Sequence, residues 1–219
     1  VFVLRNMEQG MAIKEYLDLG ESRSTVIVGG GYIGLEMAEA FVKMGSKVSV
    51  VELAPQIIPN MDADLAAILE EYLVSRGVNI FTGEKLIQIG GNGKVDNVIT
   101  DQREIPADCV LLAVGTVSNS DLAARAGVEL GVKKAIRVNT RMETSLPDIF
   151  AAGDCATVRH RVTGDEVYIP LGTTANKQGR TAGENAAGGN AVFGGVLGTG
   201  IAKVLDMEIA RTGLSKREI

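Results

Sequence analysis

The stretch from Thr25 to Glu52, TVIVGGGYIGLEMAEAFVKMGSKVSVVE, limits the possible folds more than any other part of the chain. Its first run is short, apolar and β-branched, and predicts a strand buried on both faces; Tyr32 to Met44 predicts a helix, and Lys47 to Glu52 a second strand. One βαβ unit is complete within this span, which commits the chain to a parallel sheet with helices packed on it.

The corner between the first strand and the helix carries three consecutive glycines, and Gly29, Gly31 and Gly34 meet the pattern GxGxxG. Gly29 permits the tight turn out of the strand, Gly31 removes a Cβ that would block a pyrophosphate, and Gly34 lets helix and strand pack closely. A pyrophosphate would then lie on the free N–H groups and positive dipole end of the helix that starts near Tyr32. By itself such a corner serves packing equally well. The strand before it, the helix after it and the acid Glu52 ending the next strand turn the pattern into a dinucleotide site. A carboxylate at Glu52 accepts the ribose hydroxyls and repels a 2′-phosphate, and Leu53-Ala54-Pro55 offers no arginine to receive one, so NADH is expected ahead of NADPH. Ile33 belongs to the same turn. Glu36 is either an acid near the reacting end of the nucleotide or a carboxylate favoured by the helix dipole. Tyr32 is either a lid over a planar ring or a packed aromatic.

The surrounding pattern extends the α/β reading. VFVL opens the chain as a strand, and Met11 to Gly20 reads as a helix with Met11, Ile13, Tyr16 and Leu17 as its apolar residues. Asp62 to Arg76 is a second periodic helix, with Asp62 at its N-cap and Leu65, Ile68, Leu69, Tyr72 and Leu73 on one face; GVNIF follows as the third parallel strand. EKLIQIG, KVDNVIT and the run to Ile105 then read as a β-meander inserted into the α/β domain, before CVLLAVG returns as a buried strand. IFAAGD predicts another strand ending in an acid, and Gly172 to Gly188 a helix rich in small residues. The fold class expected is therefore α/β, with a Rossmann-like parallel sheet and an inserted β-meander.

Composition excludes several alternatives. The net charge is −5 with scattered basic residues, which disfavours a nucleic-acid surface. No apolar run is long enough to span a membrane, and the first residues lack the pattern of a secretory signal, so a cytoplasmic setting is expected. The chain holds two cysteines and one histidine, too few and too far apart for a zinc site or a disulfide framework. Cys109 and Cys155 read as small buried fillers, and His160 as a surface residue in a turn.

In order, GGGYIGLE, Glu52, ADCVLLAVG, TSLPDIFAAGDCA, IPLGTTANKQGRTAGENAAGG and VLGTGIAKVLDMEIARTGL resemble the pyridine nucleotide-disulfide oxidoreductase family over essentially the whole chain. The similarity is greatest to its branch of NADH oxidases, NADH peroxidases and coenzyme A-disulfide reductases. The resemblance implies a flavoprotein in which NADH reduces FAD, and the reduced FAD passes electrons to a disulfide, persulfide, peroxide or oxygen. It places the NAD contacts at Gly29, Gly31, Tyr32, Ile33, Gly34, Glu36, Glu52 and Gly115, with Tyr32 as the aromatic over the nicotinamide side. It places the FAD contacts at Asp154, which would hold the ribityl chain, and at Pro170, Leu171, Gly172 and Thr173. The implied organisation is an NAD(P)H-binding domain over residues 1–117, the returning part of an FAD-binding domain over 118–190, and the start of an interface domain over 191–219. The same resemblance puts a further flavin-binding segment and the redox-active cysteine before Val1, and a homodimer contact beyond Ile219; no catalytic residue is assigned to this chain. Thr116-Val117-Ser118-Asn119 departs from the Arg-Pro-Asn common in relatives. Two other readings follow from the same blocks: a non-catalytic NADH-binding module, and a flavoprotein of the ferredoxin-reductase type that lacks the redox cysteine.

Overall fold

A computed structural model describes residues 1–20 and 24–219. The chain divides into two compact units, one of Val1–Gly115 with Ile201–Ile209 and Ser215–Ile219, the other of Thr116–Gly200 with Ala210–Leu214.

In the first unit, β1 (Phe2–Val3), β2 (Ser24–Val28), β3 (Lys47–Glu52), β4 (Asn79–Thr82) and β8 (Cys109–Leu112) form a five-stranded sheet in the order β1-β8-β2-β3-β4. Every neighbouring pair in it is parallel. The connections between its strands include α1 (Met7–Asp18), α2 (Tyr32–Lys43) and α3 (Ala63–Ser75). Residues Thr25 to Val28 are all buried, as expected of a central strand covered on both faces. The expected meander is present as an antiparallel three-stranded sheet of β5 (Leu86–Gly90), β6 (Asn97–Thr100) and β7 (Glu104–Pro106). Leu35, Ala38 and Phe41 of α2, Leu69 and Leu73 of α3, and Ile27, Val48, Val50 and Leu111 of the sheet make the main core.

The first helix begins earlier than the apolar spacing predicts. Asn6 caps it by accepting from the Gln9 amide at 2.9 Å, and Gln9 Oε1 accepts from Arg5 N at 2.7 Å. This reciprocal cap sets the start at Met7, although Gly10 interrupts the apolar pattern there, and Met11 lies exposed. In α3 the buried stripe is Ala66, Leu69 and Leu73, with Leu65 and Ile68 outside it. Small Ala66, which the spacing of large apolar residues passes over, is fully buried on this helix. Asp62 occupies the N-cap position without capping; its carboxylate accepts from the Lys216 amide at 2.8 Å instead.

Strands β11 (Gly200–Val204) and β12 (Met207–Arg211) pair as a hairpin, and Ala202, Val204 and Ile209 join the core of the first unit. The hairpin turn is gripped by two helices. Leu205 N donates to Glu39 Oε2 of α2 at 2.7 Å, Asp206 N donates to the Tyr72 hydroxyl of α3 at 3.0 Å, and Asp206 pairs with Arg76 at 2.9 Å.

The second unit contains α4 (Asp121–Arg125), a two-stranded ribbon of β9 (Val158–Arg159) and β10 (Glu166–Val167), and α5 (Gly172–Ala186). IFAAGD is not a strand here. Phe150 makes a single bridge to Glu143, and the next amides go elsewhere: Ala151 N to Met142 O at 3.1 Å and Gly153 N to the Gln178 side chain at 2.9 Å. His160 is buried and not on the surface, because it continues β9 into a bridge with Val196, while its Nδ1 accepts from Thr163 N at 3.4 Å. Cys109 is buried within β8, whereas Cys155 is only half-buried, its thiol directed at Ala152 O. Among the described residues no helix is long and apolar enough to cross a membrane.

Candidate functional site

Gly29 leaves β2 at φ 111°, in the left-handed region that disfavours side chains, and a Cβ there would stand 2.3 Å from Ala113 O. A Cβ on Gly34 would stand 2.0 Å from Gly29 O, so the first turn of α2 lies directly on the end of β2. These two glycines are required by the chain's own packing. Gly31 differs: among the described residues, a Cβ built on it meets nothing within 4 Å. It is the N-cap of α2, and no side chain caps that helix. The first amides of a helix have no partner within it, so α2 opens toward the free space at Gly31 with its N–H groups and positive dipole end available.

Glu52 closes one side of this opening. Its Oε2 accepts from Gly30 N and its Oε1 from Ala54 N, each at 2.7 Å. A carboxylate has about four lone-pair positions, so both oxygens keep capacity for a further donor while their direction is fixed. Gly30, the unassigned position of the glycine pattern, proves to be structural as well. Its amide holds Glu52, its carbonyl accepts from Ile58 N at 2.8 Å, and a Cβ would press on Ile57 at 3.0 Å. The fully buried Ile57 and Ile58 thereby lock the loop after β3 against the glycine corner. Nothing in the sequence signals the left-handed φ of 43° at Ile58, and the GxGxxG pattern leaves Gly30 without a role.

The structure thus brings Gly29, Gly31, Gly34 and Glu52 together at one corner. Gly115 follows the end of β8 at φ 99°, two residues past Ala113, whose amide donates to Val28 O at 2.7 Å. Ile33 and Glu36 are exposed on α2. The Tyr32 ring packs against the core, and its hydroxyl is buried with no hydrogen-bond partner among the described residues.

In the second unit, Asp154 is exposed beside the start of α5. The Tyr168 hydroxyl donates to Asp154 O at 2.9 Å, and a Cβ on Gly153 would come 3.6 Å from that of Ala175 in the first turn of the helix. Pro170 and Leu171 lead into α5, Gly172 and Thr173 open it, no side chain caps it, and the space at Gly172 is clear. The buried face of this helix is polar, consisting of Thr174, Gln178, Thr181 and Asn185. Gln178 is the member that shapes the site. Fully buried, it accepts from Gly153 N at 2.9 Å and donates to Thr157 O at 2.9 Å, fixing the loop that carries Asp154. Sequence reasoning missed it, although Thr174, Gln178, Thr181 and Asn185 recur at helical spacing as polar residues.

Residues 1–179 match the family model described as pyridine nucleotide-disulphide oxidoreductase. The chain belongs to this family. It is 42% identical over 219 residues to the NAD(P)H sulfur oxidoreductase (CoA-dependent) of Pyrococcus abyssi, a match that covers 100% of this chain and 49% of that relative. It matches the NAD-dependent persulfide reductase from A. fulgidus with a TM-score of 0.95 at 38% identity, over 99% of this chain and 40% of that one. Against the water-forming NADH oxidase from Lactobacillus brevis bound to NADH, the TM-score is 0.91 at 30% identity, over 99% of this chain and 48% of the other. The chain spans about half the length of the curated relatives it matches.

Proposed function

We propose that the chain supplies the NADH site and part of the FAD site of an oxidoreductase that passes electrons from NADH through FAD to a disulfide, persulfide, peroxide or oxygen. The observation that carries this reading is the corner at Gly31, where an uncapped helix start and open space stand beside a carboxylate whose two oxygens are aimed by Gly30 N and Ala54 N. These are the parts a dinucleotide needs: free amides for the pyrophosphate and a fixed acid for the ribose hydroxyls.

Each residue then has a task it can perform with its own atoms. The amides at the start of α2 bind pyrophosphate oxygens, with Gly31 leaving room for them. Glu52 accepts from the ribose hydroxyls with its remaining lone pairs, and its charge excludes a 2′-phosphate. In the second unit, Asp154 is free to accept from hydroxyls of the flavin's ribityl chain, and the open start of α5 at Gly172 and Thr173 stabilises negative charge placed against it. When bound, FAD supplies the two-electron acceptor for NADH. The names of relatives that act on sulfur compounds or oxygen support the class of acceptor.

Fluorescence titration of the chain with NADH and NADPH, and absorbance titration with FAD, tests the reading. NADH should bind more tightly than NADPH, and Asp154→Ala should weaken FAD binding without changing thermal stability. Equal affinity for the two nucleotides, or FAD binding indifferent to Asp154, would remove the support for these assignments.

A further inference from the structure

We infer that Glu84 is a positioning residue for Glu52, its buried carboxylate acting through an ion pair with the half-exposed Arg103 that fixes the backbone on which Glu52 stands. The inference rests on the reading of Glu52 as the acid that meets the ribose.

Glu84 lies in the link between β4 and β5, and its side chain is 2% exposed. One carboxylate oxygen pairs with Arg103 Nη2 at 2.8 Å, and the other accepts from Thr100 Oγ1 at 2.8 Å. Burying a carboxylate is costly unless its partners are complete, and apolar replacements of buried ion pairs are often neutral or stabilising. A charge here therefore calls for a purpose other than bulk stability. The geometry supplies one, because the same short link is bonded on two sides.

Toward the meander, the clasp is dense. The Arg103 guanidinium lies 4.4 Å from the centre of the Phe81 ring in β4. Lys85 N donates to Asp101 Oδ1 at 2.9 Å, Asp101 N donates to Lys85 O at 3.0 Å, and the Gln102 side chain donates to Gly83 O at 3.0 Å. Toward the parallel sheet, the link's main chain meets the candidate site itself. Glu84 N donates to Glu52 O at 3.1 Å, and Gly83 N donates to Ala54 O at 2.8 Å. Ala54 is also the residue whose amide aims Glu52 Oε1. The segment Glu52–Ala54 is thus held by Gly30 on one side and by Gly83 and Glu84 on the other, and the Glu84–Arg103 pair keeps that second support in one register. An acid that has to meet two neighbouring hydroxyls must be held to within about 0.5 Å, and the inserted meander provides the brace.

The test compares NADH with reduced nicotinamide mononucleotide, which lacks the adenosine ribose that Glu52 would contact. Binding of both to the 219-residue chain is measured by fluorescence titration for Glu84→Gln, Arg103→Lys and Glu52→Gln, with thermal unfolding recorded for each. Glu84→Gln should weaken NADH binding roughly threefold to thirtyfold and leave the mononucleotide unchanged, and Arg103→Lys should act in the same direction. Arg103 is 45% exposed, so its variant carries the test if Glu84→Gln does not fold. Equal loss of both nucleotides, or no loss of either, would show that the pair serves stability alone. If Glu52→Gln weakens NADH while neither clasp variant does, the positioning role fails and the ribose reading stands. If Glu52→Gln itself leaves NADH binding intact, the ribose reading fails and takes this inference with it.

Discussion

Glu52 Oε2 accepts the amide of Gly30 at 2.7 Å, so the acid that ends β3 and the glycine corner that follows β2 behave as one piece. A glycine in that corner cannot be moved without moving the acid, and the acid cannot change charge without disturbing the corner. Glu52→Gln makes this explicit, because one of its side-chain atoms becomes an NH2 group facing an amide donor at either Gly30 or Ala54. Hydrogen bonds to a charged group contribute roughly 1.5–3 kcal/mol, so NADH affinity should fall about 10- to 100-fold, with a smaller preference over NADPH. Parallel titrations of the two nucleotides check this, and an unchanged ratio between them would exclude Glu52 as the discriminating group.

The glycines should separate into two classes. Gly34→Ala places a Cβ 2.0 Å from Gly29 O, backbone that cannot yield cheaply, and should destabilise the chain by about 1–3 kcal/mol or more. Gly31→Ala meets no atom of the described residues within 4 Å and sits at a φ of −78° that any residue adopts. Its stability should change by less than about 1 kcal/mol, while NADH binding falls because the methyl group occupies the space of the ligand. Denaturant unfolding and NADH titration on both variants decide it. A Gly31→Ala chain that binds NADH normally would place the pyrophosphate elsewhere.

Gln178→Leu keeps the volume of a fully buried side chain and removes both of its hydrogen bonds, leaving Gly153 N and Thr157 O without their partner. Each buried group left unpaired costs roughly 1–3 kcal/mol, so a loss of roughly 2–4 kcal/mol is expected by urea unfolding. FAD affinity should drop along with it, since the loop carrying Asp154 loses its tether. A variant as stable as the parent would mean that water replaces the amide and that the tether has little weight.

How much of this was legible in the sequence depends on which force made each feature. Apolar alternation and β-branched runs report burial directly, so the parallel sheet, α2 and the meander could be read from residues such as Val26 to Val28 and Val48 to Val51. The glycine corner was readable for a related reason: only close approach or a positive φ explains Gly29 and Gly34 where they stand. Features made by single polar contacts were not. Asn6 and Gln9 start α1 through side-chain hydrogen bonds that apolar periodicity does not register, and α5 buries a polar stripe that such a reading treats as its solvent face. His160 looked like a surface residue beside Thr163-Gly164, yet backbone pairing with Val196 draws it inside. The brace behind Glu52 was equally hidden, because Glu84 and Arg103 are an acid and a base in a charged stretch until the fold shows which of them is buried.

The far end of α2 carries a pH response. Glu39 is held below its ordinary value of 4.5 chiefly by the hydrogen bond from Lys43, then by the Leu205 amide and the charges of Lys43 and Lys203, with partial burial opposing. A group depressed in the folded state adds stability that is complete above its ordinary value and is lost as pH falls through its folded value. Lys43 is shifted the opposite way, upward from 10.5 by Glu39, so its share is present below 10.5 and is lost as pH rises through its folded value. The contact joining α2 to the turn of the β11–β12 hairpin should therefore be firm at neutral pH and loosen in acid. Glu39→Gln should lower stability at neutral pH and lower it by less once the pH is well under 4.5, where the parent's own carboxylate is protonated. Denaturant unfolding of parent and variant at neutral pH and in acid measures the two differences. Equal differences at both would mean that Glu39 holds Leu205 by shape and hydrogen bonding alone, with its charge contributing nothing.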